Sequence, residues 1–225
     1  MDCRVISLGT LPSHPLRDKA RAARTGHATT TLVRSGDAAI LIDPGLPAPA
    51  LAARLDERAG LRPDDITHVF LSSFQPDTAR GIHAFDHAEW LIALPEREAR
   101  GVPLARLLLD AQHADDETRA ELQFQVAILE RCRPAPDTLA RGVDLFPLPG
   151  VTPGLTGLLL AQPTHTTLIC GDSVATIEHL ERGQVLTPCH DIERARESFA
   201  EAIEIADYLI PGRDNIVPNP SRRPF

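Results

Sequence analysis

The residues of this chain best suited to chemistry are two aspartates and an arginine, each of which follows a predicted strand. Asp77 comes after a short apolar strand, Asp172 after a second, and Arg213 after the last. Functional side chains commonly lie outside the carboxyl ends of strands. Two carboxylates are oxygen donors for a hard cation, whereas a guanidinium can neutralise two carboxylates without any metal. The sequence therefore allows either a held cation or an ion pair.

The segments around these residues resemble, in order, four motifs of the metallo-β-lactamase superfamily. Leu71–Gly81 resembles the loop Thr-His-x-His-x-Asp-His-x-Gly-Gly, and Leu148–Gly154 resembles Pro-Gly-His-Thr-Pro-Gly. Ile169–Ser173 resembles the Gly-Asp strand end that supplies a metal-bridging carboxylate, and Ile210–Asp214 resembles the closing Pro-Gly-His-Asp. The resemblance covers nearly the whole chain, and four motifs in the right order are more specific than any one of them.

Carried over position by position, the family's seven metal ligands fall on residues that are mostly poor ligands. These positions are Ser73, Gln75, Asp77, Thr78, Val151, Asp172 and Arg213. None of the family's ligand histidines is present at these positions. Val151 has no donor atom, and Arg213 brings a positive charge that repels a dication. A zinc ion needs about three or four nitrogen, sulfur or oxygen donors. The resemblance therefore implies the family's scaffold without its dinuclear zinc site.

The pocket at these seven positions is predicted to be independent of metal, with Arg213 in the place of the cation. In the family the last ligand shares its metal with the loop aspartate, so Arg213 should point at Asp77, with Asp172 close behind. Two buried aspartates without a counter-charge would repel, and one would take up a proton. Asp43 matches a family aspartate that supports the metal loop from behind. The predicted cofactor is none.

A relocated metal site is the alternative, because nine histidines remain. The candidate set is Asp77, Asp172 and His190, which lies beside Cys189 at the start of the last long helix. This set would hold one divalent ion. With Gln75 and water in place of the histidine, the oxygen donors would suit magnesium or calcium.

The remaining histidines and the serines of the pocket are not predicted to be ligands or nucleophiles. His27 precedes a strand at the pocket's border and is expected to line the pocket or pack against it. Ser73 and Ser173 flank the pocket, but neither has the Gly-x-Ser-x-Gly turn of a serine nucleophile. The histidines predicted to be solvated are His14, His113, His165 and His179.

The elements that carry these residues follow from the hydrophobic pattern. Strands fall into two groups, and the helices Ala48–Ala59 and Ile192–Ala206 lie outside them. This predicts an α/β fold, the four-layer αβ/βα sandwich that the resemblance also implies, in a single domain over residues 1–225. The charged helical segment Gly101–Arg133 is predicted to be an insertion, either surface helices packed on the sheet or a lid or dimer surface.

Composition argues against several classes of function. The net charge of −8 weighs against a nucleic-acid partner. Four widely spaced cysteines without a CxxC pair fit a reducing compartment. The apolar runs are far shorter than the ~20 residues of a membrane span. A cytoplasmic protein without membrane or nucleic-acid partners is expected.

The sequence thus predicts a metallo-β-lactamase-fold protein that binds a small molecule or has altered, metal-independent chemistry, as a pseudo-hydrolase would. Whether it is an enzyme stays undecided at this stage. One alternative is a lactonase- or thioesterase-like metallohydrolase with the rebuilt single-metal site. The other is a non-catalytic partner subunit that dimerises through Gly101–Arg133, and a homodimer is considered as well.

Overall fold

The computed structural model describes residues 1–16, 25–111 and 115–222. The strands of the described residues form two six-stranded sheets, one from each half of the chain. The predicted α/β architecture, with two groups of strands and helices outside them, is confirmed. Each helix in the described ranges is too short or too polar to cross a membrane.

The first sheet has the strand order β1-β2-β3-β4-β5-β6. Its first three strands pair antiparallel and the remaining pairs are parallel. The parallel strands β3 and β4 therefore end at the same edge of the sheet. The strands are β1 (Asp2–Ser7), β2 (Thr30–Ser35), β3 (Ala38–Ile42), β4 (His68–Leu71), β5 (Glu89–Ile92) and β6 (Arg133–Pro134).

The second sheet has the order β12-β11-β10-β9-β8-β7. Only β10 and β11 pair parallel, so their carboxyl ends also lie side by side. The strands are β7 (Thr138–Ala140), β8 (Val143–Pro147), β9 (Thr156–Ala161), β10 (Thr166–Gly171), β11 (Tyr208–Pro211) and β12 (Val217–Pro218).

The two sheets pack face to face through apolar side chains that alternate along the strands. One buried cluster joins Ile40, Ile42 and Phe70 of the first sheet to Leu158 and Ile169 of the second. The strand period of two sends alternate residues to the opposite face, where helices cover them. Fully burying each such side chain stabilises the fold by about 1.5–3 kcal/mol.

Five α-helices of the described residues form the outer layers. The first sheet is covered by α1, α2 and α3, and the second by α4 and α5. The bounds are α1 (Ala48–Ala59), α2 (Leu94–Asp110), α3 (Asp116–Arg131), α4 (Ile177–Arg182) and α5 (Ile192–Ile205). Helix α1 has the predicted bounds and is followed by Gly60, whose φ of +62° suits glycine. Asp191 caps α5 by accepting from two backbone N–H groups.

The helical segment begins earlier than predicted. Helix α2 starts at Leu94 rather than near Gly101, because Pro95 in its first turn has the backbone angle that a helix needs and no N–H to leave unpaired. Glu96 consequently lies in the first helical turn, next to the end of β5. That the two helices are an insertion with a covering or dimerising role stays a prediction.

Candidate functional site

The site lies where the carboxyl ends of β4, β10 and β11 meet. Backbone crowding at this edge requires glycine at two positions. A Cβ on Gly212 would lie 2.6 Å from a carboxylate oxygen of Asp172, and one on Gly171 would lie 2.8 Å from Ser72 Oγ. Gly171 also has a φ of +53°. These close approaches bring the loop after β4 onto the loops that follow β10 and β11.

Arg213 is the centre of the site and pairs with both aspartates. Its Nε donates to Asp172 Oδ1 at 2.7 Å and its Nη2 to Asp172 Oδ2 at 2.6 Å, which is the two-pronged geometry of a strong ion pair. Its Nη1 donates to Asp77 Oδ2. Arg213 is 4% exposed. Burial alone would lower the pKa of its guanidinium, but the two carboxylates outweigh burial, and the pKa of Arg213 is raised.

Asp43 supports this arrangement from beneath the loop after β4. It is buried, adopts a φ of +51°, and accepts from Ser72 N at 2.8 Å and Ser72 Oγ at 2.6 Å. Burial raises the pKa of Asp43 to about 7, although the hydrogen bonds from Ser72 act in the opposite direction. The structure thus places Asp43 behind the loop, where the resemblance put it.

The raised pKa of Asp43 makes stability depend on pH. The folded chain holds the proton up to a pH of about 7, whereas the unfolded chain releases it near the ordinary value of 3.8, so this contribution to stability falls as pH rises between the two values. Asp43→Asn, which mimics the protonated acid, should lose less stability between pH 5 and pH 8 than the parent, by on the order of 2 kcal/mol.

Urea unfolding of both proteins at the two pH values measures this difference. Asp37→Asn, in the exposed turn between β2 and β3, is the matched control and should behave as the parent does. Parallel pH profiles for Asp43→Asn and the parent would contradict the assignment.

Three buried oxygens beside the ion pair have no hydrogen-bond partner among the described residues. They are Ser73 Oγ, Asp77 Oδ1 and Ser173 Oγ. Buried polar atoms in folded proteins are nearly always paired, so such atoms indicate a partner that is not part of the chain. The hydroxyls can donate or accept, and the carboxylate oxygen accepts. The site can therefore bind a small polar group.

The other predicted positions have structural contacts. Thr78 Oγ1 lies 2.9 Å from the Ser73 carbonyl and 2.8 Å from the Gln75 carbonyl, and it holds the loop together. Gln75 itself is half-buried. Val151 is 8% exposed and packs in the apolar cluster under α5. None of these three side chains is engaged as part of the ion pair.

Among the described residues, neither His27 nor His190 makes a side-chain hydrogen bond to the ion pair. His27 Nε2 is 2.9 Å from the Leu8 carbonyl oxygen. His190 is exposed, and its backbone N–H donates to the Val151 carbonyl. Asp77, Asp172 and His190 do not form a group that could hold a metal ion, and no group of three His, Cys, Asp or Glu side chains in residues 1–16, 25–111 and 115–222 does so.

One predicted solvated histidine, His179, is instead 1% exposed. The short helix α4 folds it inwards, where its Nδ1 lies 2.8 Å from Thr176 Oγ1 and its ring 5.4 Å from that of His14. Burial and the neighbouring His14 lower the pKa of His179. A six-residue helix is too short to show a hydrophobic period, which is why the prediction was wrong. His14 and His165 are half-buried, and His113 lies outside the described residues.

Glu96, which the sequence analysis missed, joins the two loops of the site. It is 0% exposed. Its Oε1 accepts from Phe74 N at 2.9 Å, and its Oε2 accepts from Thr152 Oγ1 at 2.8 Å and Gly154 N at 2.9 Å. A buried carboxylate is tolerated because these donors compensate for the lost water. An acidic residue after proline in a first helical turn is a common pattern, so its sequence carried no specific signal.

The residues present do not fit the family's pair of zinc ions. Arg213 occupies three of the four oxygens of Asp77 and Asp172, which leaves Asp77 Oδ1 as the remaining carboxylate donor. The other positions offer hydroxyls, an amide oxygen and a valine. A dication would also face the fixed positive charge of the guanidinium.

Several known proteins are similar to this chain in sequence pattern or in fold. The family model of the metallo-beta-lactamase superfamily matches residues 23–213. No curated protein sequence matches the chain. A Thermotoga maritima protein described as a metallo-beta-lactamase has a TM-score of 0.67 at 17% identity, with 96% of this chain and 98% of that chain covered.

Two further solved structures, one of them a lactonase, share the fold as well. AidC, a dizinc quorum-quenching lactonase, has a TM-score of 0.62 at 20% identity over 79% of this chain and 67% of that chain. AiiA of B. thuringiensis, with N-decanoyl-L-homoserine bound at its active site, has a TM-score of 0.59 at 20% identity over 85% of both chains. At such identities the similarity shows the fold alone.

Proposed function

This chain belongs to the metallo-beta-lactamase superfamily, and from that premise we propose that it binds a small molecule at the family's site without the family's metal ions. The observation that supports the proposal is the buried contact of Arg213 with both aspartates. A fold does not determine a function, so the proposal depends on the site. In this proposal the guanidinium of Arg213 supplies the positive charge that the metal ions supply in the family.

Charge balance supports this assignment. Asp77, Asp172 and Arg213 together carry one net negative charge, so the guanidinium compensates half of the carboxylate charge at the site. Breaking a buried ion pair leaves an uncompensated charge and is strongly unfavourable. A metal ion could enter only by displacing the guanidinium from its hydrogen bonds. The arrangement therefore favours a site whose positive charge is supplied by Arg213 and not by a bound metal ion.

The unpartnered oxygens of Ser73, Asp77 and Ser173 suggest what is bound there. A carboxylate oxygen accepts, and the two hydroxyls complete a polar surface that can pair with N–H or O–H groups. We assign to this site a small molecule that offers hydrogen-bond donors. Turnover is not required by this assignment, since in the described part of the chain the arginine that pairs with both aspartates cannot lower the pKa of bound water as a metal does.

Metal content tests the proposal directly. Protein purified without chelator should carry far less than one equivalent of zinc, iron or manganese by elemental analysis. Its melting temperature should be the same with and without EDTA. One or two tightly bound ions per chain would contradict the proposal.

A lactone hydrolase with a rebuilt metal site is the second candidate, favoured by the shared fold of AidC and AiiA. The same preparation distinguishes it, because a metal lowers the pKa of bound water from ~16 to ~7 and so supplies the nucleophile. Hydrolysis of an acyl-homoserine lactone that EDTA abolishes would establish the second candidate. The metal-independent site should give no hydrolysis above background.

The partner-subunit hypothesis has one supporting feature. Helices α2 and α3 expose Val102, Leu107, Leu109 and Phe124, each at 43% or more. Exposed apolar surface of this kind is typical of protein interfaces. Dimerisation through these helices stays a prediction, as does a location in the cytoplasm.

A further inference from the structure

A cavity of about 370 Å³ adjoins the site on the side of α2. Three segments far apart in the chain line it, namely the second turn of α2, the loop after β8 and the loop before α5. The loop after β8 contributes Val151, at a family ligand position, and Thr152. We name it the proline-lined cavity, because each segment contributes one proline, namely Pro103, Pro153 and Pro188.

Arg100 is the one residue lining the proline-lined cavity that is charged at neutral pH. Its side chain is 38% exposed, and its Nε lies 3.4 Å from Glu96 Oε1. Glu96 already accepts shorter hydrogen bonds from Phe74 N, Thr152 Oγ1 and Gly154 N. The contact therefore orients the guanidinium of Arg100 and uses only its Nε–H group. In the described part of the chain, the two terminal amino groups of Arg100 have no hydrogen bond and can donate to a ligand.

More than half of the remaining lining is apolar, namely Ala99, Val151 and the three prolines. Proline fixes the backbone angle φ and has no N–H, so the three prolines form walls without donors that need solvation. Cys189 and His190 add a thiol and an imidazole at the rim. A rigid cavity loses little conformational entropy when a ligand enters. Its chemistry fits a ligand with one anionic group and a short apolar body.

We propose that the proline-lined cavity binds the carboxylate end of a small apolar acid, with Arg100 as the recognition residue and Glu96 as the residue that positions it. The guanidinium fork matches the two oxygens of a carboxylate. A phosphate would carry more charge than this single arginine can balance. The inference goes beyond the proposed function, because the lining of this cavity does not include the unpartnered oxygens of Ser73, Asp77 and Ser173. Its test does not depend on whether metal is bound.

Hexanoate is the probe, and hexanamide is its uncharged counterpart of the same size. Amide chemical shifts in a titration followed by NMR should change around α2 and the loop after β8 with hexanoate. The affinity for hexanamide should be at least about tenfold lower, because a charge-assisted hydrogen bond is lost. Equal affinity for the two probes would overturn the proposal, as would tighter binding of inorganic phosphate than of hexanoate.

Variants locate the binding. Arg100→Gln should weaken hexanoate binding about tenfold or more without changing the melting temperature, and Arg100→Lys should fall between it and the parent because it keeps the charge without the fork. Arg133→Gln, whose side chain is 75% exposed and does not line the cavity, is the control and should bind as the parent does. Parent-like affinity of Arg100→Gln would refute the inference. A metal-loaded protein that still binds hexanoate through Arg100 would end the metal-independent proposal and leave this one standing.

Discussion

Arg213→Ala should lower the free energy of unfolding by on the order of 3–5 kcal/mol at neutral pH. The substitution leaves Asp77 and Asp172 facing each other without the guanidinium that both of them contact. Asp172 is buried, so its charge cannot be screened by water. The loss should be smaller at pH 5 than at pH 8, because an unpaired buried carboxylate can take up a proton and shed its charge.

Two further variants make the measurement specific. Arg213→Lys keeps the charge but not the fork, and it should recover only part of the lost stability. Arg196→Ala removes an arginine from an exposed pair with Glu193, in which the two side chains are 63% and 74% exposed, and it should cost under ~1 kcal/mol. Urea unfolding followed by circular dichroism gives all three values. An Arg213→Ala variant as stable as Arg196→Ala would show that the ion pair does not hold the site together.

Glu96→Ala should cost on the order of 3 kcal/mol or more, although the charge pair that it breaks is a long contact of 3.4 Å to the partly exposed Arg100. The substitution strands three buried donors, on Phe74, Thr152 and Gly154, and each unsatisfied donor costs about 1–3 kcal/mol. Glu98→Ala, an exposed acid in the same helix, is the matched control and should change stability by less than about 0.5 kcal/mol.

Hydrogen exchange adds a local measurement to the unfolding experiment. The backbone amides of Phe74 and Gly154 should lose protection in Glu96→Ala, because both donate to the deleted carboxylate. If these amides stay protected and the unfolding curve matches that of Glu98→Ala, Glu96 does not connect the two loops.

The elements predicted well are those whose signal lies within the element. Helix α1 has the predicted bounds, and α5 begins at the predicted residue and ends one residue earlier. The start of α2 and the short helix α4 were missed, because a proline near a helix start and a six-residue helix give little periodicity. Hydrophobic patterning therefore predicted the layers of the fold better than the connections between them.

The order of the four motifs predicted the site as hydrophobic patterning predicted the layers. It indicated that Asp77, Asp172 and Arg213 belong together, and the structure brings them together through the parallel ends of β10 and β11. Glu96 escaped notice because two of its three donors are backbone N–H groups, which every residue except proline carries. Such contacts leave no trace in residue type, and only the folded chain reveals them.

The covalent attachment of Arg213 to the chain has a consequence for how the protein is made. A bound ion must be acquired from the surroundings at a concentration set by the cell, and its occupancy can be partial. A guanidinium carried by the polypeptide is present once in every molecule as soon as β11 pairs with β10. It cannot be extracted by a competing chelator or replaced by the wrong ion. Yield and stability should therefore be equal in zinc-depleted and zinc-replete cultures.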